Sequence, residues 1–158
     1  MSKYTDIIDV RPDKALAKML GGKLLISRSV TEQAALRVFS HAMQPVTFKE
    51  ENYVTISFNG GINAKTTGFG YFDGYLVLLF YCKMHPDGTA REETIRYVLK
   101  QIQHYTHRQV APEGYFYELD SANAITPSTI NLTSGYSVTM LNIKWHTTDK
   151  FNLINNSN

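Results

Sequence analysis

The sequence predicts an α+β fold, with a largely antiparallel β-sheet and two or three helices packed on one face. Some segments repeat apolar residues at helical spacing, others alternate them at period two, and the order is helices, strands, helix, strands. With 158 residues, 43% hydrophobic and 19% charged, the chain suits one globular domain. We expect that domain over residues 1–151, followed by a polar tail at 152–158.

The first 45 residues predict two helices. Pro12 suits a first-turn position, and the apolar spacing that follows it ends at Gly21-Gly22. Residues 23–28 could form a short strand or a linker. The capping-box form of Ser29–Glu32 predicts the start of a second helix, which Pro45 would end. The inward stripe expected for this second helix contains Ala34, Ala35, Val38, Phe39, Ala42 and Met43.

The middle of the chain predicts two strands joined by a glycine-rich hairpin loop. Tyr53–Phe58 alternates apolar and polar residues, as half-buried strands do. Asn59–Gly74 is interpreted as a mobile hairpin loop, or alternatively as a loop that orders against a neighbour. Gly74–Lys83 is apolar on both faces. We therefore expect it to be a central strand covered on both sides, or a strand whose second face meets a partner.

The second half predicts one long helix and a β-rich end. Thr89–Glu92 repeats the capping-box form and opens a helix that runs to about His107, and a linker follows at 109–112. Two strands, Gly114–Asp120 and Tyr136–His146, flank a connection rich in Thr, Ser and Asn. Only two of the 16 basic residues follow residue 108. This low charge is typical of a surface that another subunit covers.

No catalytic, metal or cofactor site is predicted. His104 and His107 lie one helical turn apart, but no other cluster completes a metal-ligand set. Cys82 is the single cysteine, which excludes an internal disulfide, and its apolar strand predicts a buried, inert thiol. Glu118 and Asp120 share a strand face and could serve acid–base chemistry, although a polar strand edge is the preferred interpretation.

The glycine-rich loop and the charge balance give no clear ligand. Lys65-Thr66 lacks the rest of a phosphate-binding loop, and a strand follows it where such a loop needs a helix. The net charge of +2 does not indicate nucleic-acid binding by itself. A ring that carried Lys65 or Arg108 towards DNA could still pass it without sequence specificity. No run is long enough to span a bilayer, so we expect a cytoplasmic protein without a membrane partner.

Residues 68–149 resemble the tail terminators of long non-contractile-tailed bacteriophages. The resemblance rests on the order of an aromatic strand, an Asp-Gly turn and an Arg/Glu-led helix, and on Gly114–Glu118, Ile125–Thr139 and Leu141–His146. It implies a hexameric ring at the head-proximal end of the tail tube, which stops tube growth and offers a docking surface to the head connector. It also implies a structural role without catalysis, in a virion assembled in the host cytoplasm.

Large aromatic side chains dominate subunit contacts, so the aromatics of the strands and of the glycine-rich loop are candidate interface residues, together with one lysine. For several of them a place in the core is an open alternative. The candidates are Lys65, Phe69, Tyr71, Phe72, Tyr115, Tyr117, Tyr136 and Trp145. The competing functions are another neck or head-completion protein, a tail-tube subunit, a monomeric protein-binding module of the inhibitor or immunity type, and an enzyme.

Overall fold

Two helices and one large sheet make up the described part of the chain. The computed structural model describes residues 11–26, 34–40, 52–64, 71–119, 128–132 and 134–148. Within them lie α1 Pro12–Leu20, β1 Arg37–Ser40, β2 Asn52–Phe58, β3 Asn63–Ala64, β4 Phe72–Lys83, α2 Glu92–Thr106, β5 Gln109–Val110, β6 Tyr115–Leu119, β7 Ser128–Asn131 and β8 Tyr136–Thr147. The predicted α+β class is confirmed. The predicted polar tail lies outside the described residues.

The eight strands form one sheet in the order β1-β2-β4-β8-β6-β5. β3 pairs with β4 in line with β2, and β7 pairs with β8 in line with β6. β1 runs parallel to β2, and every other pairing is antiparallel. β4 and β8, each of 12 residues, are therefore the central strands.

Both helices pack on one face of this sheet, which we call the inner face. Alternate residues of the central strands point to it, and they are fully buried together with the apolar stripes of the helices. The strand residues of this core include Val54, Ile56, Leu76, Leu78, Phe80, Leu141 and Ile143, and the helix residues include Leu16, Leu20, Ile95, Val98 and Ile102. The buried residues of α1 and α2 recur at helical spacing, as expected for helices that pack on a sheet.

Polar contacts hold the start of α1 against the inner face of the sheet. The hydroxyl of Tyr117 donates a hydrogen bond to the carbonyl of Pro12 at 2.7 Å. The Arg11 guanidinium contacts the fully buried carboxylate of Asp13 through two atoms at 3.2 Å and lies 4.8 Å from the centroid of the Phe58 ring. A buried charge requires such a paired, hydrogen-bonded partner.

The predicted second helix is wrong over residues 34–40. Residues 37–40 form β1, and the preceding segment pairs with residues 24–26 through the bridge between Leu25 and Ala35. The side chain of Gln101 accepts a hydrogen bond from the backbone N–H of Leu25 at 2.8 Å and donates one to its carbonyl at 2.7 Å. Tertiary pairing therefore overrides the helical spacing. The capping-box residues at 29–32 lie outside the described residues.

Two smaller predictions in the second half also change. α2 begins at Glu92, and Thr89 donates its hydroxyl to Asp87 at 2.6 Å instead of capping the helix. The predicted linker at 109–112 contains the short strand β5, because Arg108 adopts φ 56° and its backbone N–H donates to the carbonyl of Tyr117. The chain therefore turns back onto β6 as soon as α2 ends.

Candidate interface on the outer face of the sheet

The outer face of the sheet, opposite the helices, carries a row of apolar side chains on its longest strand. Tyr75, Val77, Leu79 and Tyr81 of β4 point to this face and are partly or largely exposed, with Tyr75 exposed over 42% of its area. Of the two arrangements predicted for this strand, coverage on both sides is therefore wrong within the described residues. Contact of the second face with a partner stays a prediction.

Strand pairing extends this row into a contiguous apolar surface, which we call the outer band. One row of the register places Ile130, Val138, Tyr81 and Tyr53 side by side, and the next places Met140, Leu79, Thr55 and Phe39 side by side. None of these eight residues carries a charge at neutral pH, and the first row ends on β1 at the charged, exposed Arg37, which lies opposite Tyr53 and borders the band. The outer band therefore resembles the charge-depleted centre of a protein–protein interface.

Three tyrosines strengthen one side of the outer band. The rings of Tyr53 and Tyr81 stack with centroids 4.4 Å apart, and Tyr136 meets Tyr53 edge-on at 6.2 Å. Burial, followed by the neighbouring Tyr81 and Tyr136, raises the pKa of Tyr53 to about 12. The phenol of Tyr53 is therefore neutral at physiological pH, and the three rings together form one edge of the outer band.

Polar residues occupy the rest of the outer face. Lys144 lies opposite Glu118 of β6, and the amide of Asn142 accepts a hydrogen bond from Asn59 at 3.2 Å. His146 stacks on Phe116 with ring centroids 4.9 Å apart. Since an apolar centre with a polar rim is the usual anatomy of an interface, the outer face as a whole has the layout of a contact surface.

A second exposed apolar site lies at the hairpin that joins β2 to β4. Ile62 is exposed over 57% of its area, and Phe72 is also exposed where β3 pairs with the start of β4. The backbone N–H of Phe72 donates to the hydroxyl of Thr147 at 2.8 Å, which holds this end of β4 against β8. We call Ile62 and Phe72 the hairpin patch.

The structure divides the predicted interface residues into three groups. Tyr115, Tyr117 and Trp145 are buried in the core, so the alternative that the sequence left open replaces the predicted contact for these three. Phe72 lies in the hairpin patch, Tyr136 borders the outer band, and Tyr71 is half-buried next to Phe72. Lys65 and Phe69 lie outside the described residues.

The described residues that were considered for catalysis are His104, His107, Cys82 and Glu118, and they lie in different surroundings. His104 is exposed at the end of α2, whereas Nδ1 of His107 accepts the backbone N–H of Leu119 at 3.1 Å. Burial raises the pKa of the Cys82 thiol to about 11, so at neutral pH it is protonated and a poor nucleophile. Glu118 faces Lys144, and Asp120 lies outside the described residues.

None of the eight residues of the outer band is among the predicted interface residues, although Leu79 and Tyr81 lie on the strand for which contact with a partner is one of the two predicted arrangements. A signal existed for Ile130 and Leu132, because their apolar side chains alternate with polar ones in a stretch bounded by turn residues. Phe39 was assigned to a helix, and Leu79 could not be distinguished from the core residues beside it. Among the described residues, no cluster of three or more His, Cys, Asp or Glu side chains could hold a metal ion.

Comparison with known proteins does not assign the chain to a family. No helix in the described segments has the length and apolar character needed to cross a membrane. No protein-family model matches the chain, and no curated protein matches it.

Proposed function

We propose that this chain is a structural subunit of a phage virion, a tail terminator that assembles as a ring of six at the head-proximal end of the tail tube. The ring would stop tube growth, offer its outer rim to the head connector and let DNA pass through its centre without sequence recognition. The observation that supports this proposal is the uncharged outer band. A sheet face of this kind is stabilised when another subunit or a partner protein covers it.

The hairpin patch adds a second surface of the kind that a ring requires. A ring is built from head-to-tail contacts in which one surface of each copy meets a different surface of the next. The outer band and the hairpin patch are two such surfaces, and both expose apolar side chains. Contact between them in neighbouring copies would bury Ile62 and Phe72 against Leu79 and Met140.

The test is the mass of the purified protein, measured by light scattering over a range of concentrations, alone and with tail-tube protein. The proposal expects a species of six copies of the 17.9 kDa chain. Leu79→Lys should abolish it, because a charge in the apolar centre of an interface cannot be paired there. Val110→Lys is the matched control, since Val110 is exposed and apolar and lies on β5, outside the outer band and the hairpin patch.

A monomer under all conditions, with and without tube protein, would overturn the ring. A second candidate is a monomeric module of the inhibitor or immunity type, which would bind one partner through the outer band. The band alone, two rows across five strands at about 4.8 Å per strand, covers far less than the roughly 800 Å² per partner of a standard interface, so the partner of such a module would also contact the polar residues around the band. Leu79→Lys would then leave the mass unchanged and abolish binding to that partner.

A further inference from the structure

β7 is a short edge strand of four residues, preceded by Pro127, whose own residues carry none of the charges or prolines that commonly prevent pairing. It lies beside β8, and no strand in the described part of the chain runs along its other side. Ile130 is exposed over 64% of its area and Leu132 over 38%. Residues 128–132 contain no charged residue and no proline. Natural edge strands are commonly blunted by charges, prolines or bulges, and an edge without them is a template for another strand.

The hydrogen bonds to β8 define which backbone groups of β7 face outward. The N–H of Leu132 donates to the carbonyl of Tyr136 at 2.7 Å, and Ile130 lies opposite Val138. In an antiparallel ladder, alternate residues direct their N–H and C=O groups to the same side. The backbone groups of Ile130 therefore point to β8, and those of Thr129 and Asn131 point to the open edge.

We propose that β7 pairs antiparallel with β7 of a second copy of this chain, about a twofold axis at Ile130. In this register Thr129 lies opposite Asn131 of the second copy, and each pair exchanges both backbone hydrogen bonds. Ile130 lies opposite Ile130 of the second copy at a non-hydrogen-bonded position, where side chains approach most closely. Every outward-facing N–H and C=O of Thr129 and Asn131 then has a partner.

The strand that pairs with the open edge of β7 is an identical one, because this register is self-complementary. No charge on β7 opposes a second copy, and the most exposed apolar residue meets itself. The twofold axis also places both outer faces on the same side, so the two outer bands become one continuous surface through Ile130. A pair of four-residue strands is only about 14 Å long, so the contact is weak by itself and forms at high protein concentration or within a larger assembly.

This pairing does not rest on the proposed ring. Its contact is twofold, with the same residues on both sides, whereas ring contacts join two different surfaces. The mass of the assembly tests the ring, and a crosslink that forms only across the twofold axis tests the strand pair. The two proposals can therefore fail separately.

The experiment is disulfide crosslinking of the full chain carrying Ile130→Cys, under mild oxidation at high protein concentration. The Cα atoms of a non-hydrogen-bonded pair lie about 4.5 Å apart, inside the roughly 4.4 to 6.8 Å range of disulfides. The native Cys82 is buried and should not compete. We expect a covalent dimer from Ile130→Cys. Val110→Cys, on the exposed edge strand β5, should give little or none.

A second variant removes the pairing without disturbing the subunit. Asn131→Pro deletes an outward N–H and leaves the hydrogen bonds to β8 in place, which is the position that edge strands tolerate for proline. Each Thr129–Asn131 pair then loses one of its two hydrogen bonds, two per dimer, so the crosslinking yield of Ile130→Cys should fall about tenfold when Asn131→Pro is added. Unchanged thermal unfolding of the double variant confirms the fold. An undiminished crosslink, no crosslink from Ile130→Cys, or an equal yield from Val110→Cys would overturn the strand pair.

Discussion

The two faces of β4 have nearly the same composition and very different surroundings. Leu76, Leu78 and Phe80 on the inner face are fully buried, whereas Val77 and Leu79 on the outer face are only partly covered by their neighbours. The difference comes from topology, because α1 and α2 both pack on the inner face. Hydrophobic composition therefore shows that a strand is central, but it does not show which of its faces is core and which is contact surface.

The same contrast appears between the aromatic residues of the sheet. Trp145 and Tyr115 meet edge-on in the core, with ring centroids 5.7 Å apart, whereas Tyr53 and Tyr81 stack on the outer face. Core aromatics stabilise the subunit itself. Outer aromatics contribute less to it, because part of each ring stays in water, and their remaining apolar area is free to stabilise a complex.

The largest expected effect compares neighbouring leucines on the two faces. Leu78→Ala should lower the free energy of unfolding by about 2–5 kcal/mol, because it leaves a cavity in the core. Leu79→Ala should cost less than about 1.5 kcal/mol, since its side chain is partly exposed and leaves no closed cavity. Urea unfolding of both variants at low protein concentration measures the difference. Equal losses would mean that the outer face is as buried as the inner one.

A smaller effect is expected at Gly74, where the inner face packs closely against the indole of Trp145. Gly74 lies opposite Trp145, and a Cβ added there would approach the indole to 2.9–3.0 Å. Gly74→Ala should therefore destabilise the fold by about 1–3 kcal/mol, because the buried indole has to shift. Gly61→Ala is the control, since a Cβ at Gly61 meets nothing within 4 Å. Thermal unfolding of both variants checks this, and equal melting temperatures would contradict it.

Much of the fold could be predicted because local pattern and final environment agree. α1 is predicted by Pro12 and Gly21-Gly22, and β4 by its unbroken apolar run. β1 could not be predicted, because it is fixed by pairing with β2, and because Gln101 of a distant helix holds Leu25, which pairs with Ala35 just before β1. Contacts between residues that are distant in the sequence cannot be recognised within a local window of sequence.

The candidate site was predictable only in part for a related reason. The sequence identified a β-rich, low-charge end and its aromatic residues, but the period-two pattern does not distinguish an inward from an outward aromatic residue. Tyr117 and Trp145 face the helices, while Tyr136 borders the outer band. Ile130 became a candidate only after the pairing of β7 with β8 placed it beside Val138 on the outer face.

The smallest effect concerns Tyr53 and Tyr115, two tyrosines on opposite faces of the sheet whose pKa values are raised to a similar extent. Burial raises the pKa of both Tyr53 and Tyr115 to about 12, aided by Tyr81 and Tyr136 for the first and by Glu113 and Asp13 for the second. Tyr81→Ala removes the ring that covers Tyr53, so the pKa of Tyr53 should fall towards 10 while that of Tyr115 stays near 12. A carbon-13 NMR titration of the tyrosine rings would show this. A joint shift would mean that the two faces are coupled.

The inner tyrosine should also link stability to pH. The pKa of Tyr115 is higher in the folded chain than the value of about 10 expected on unfolding, so the unfolded state loses this proton first as pH rises. Its contribution is full below about pH 10 and is lost as pH rises from about 10 to 12. Tyr115→Phe should therefore reduce the drop in unfolding free energy between pH 9 and 11, measured by urea unfolding. Tyr75→Phe, which removes one phenol hydroxyl from the outer face, is the matched control.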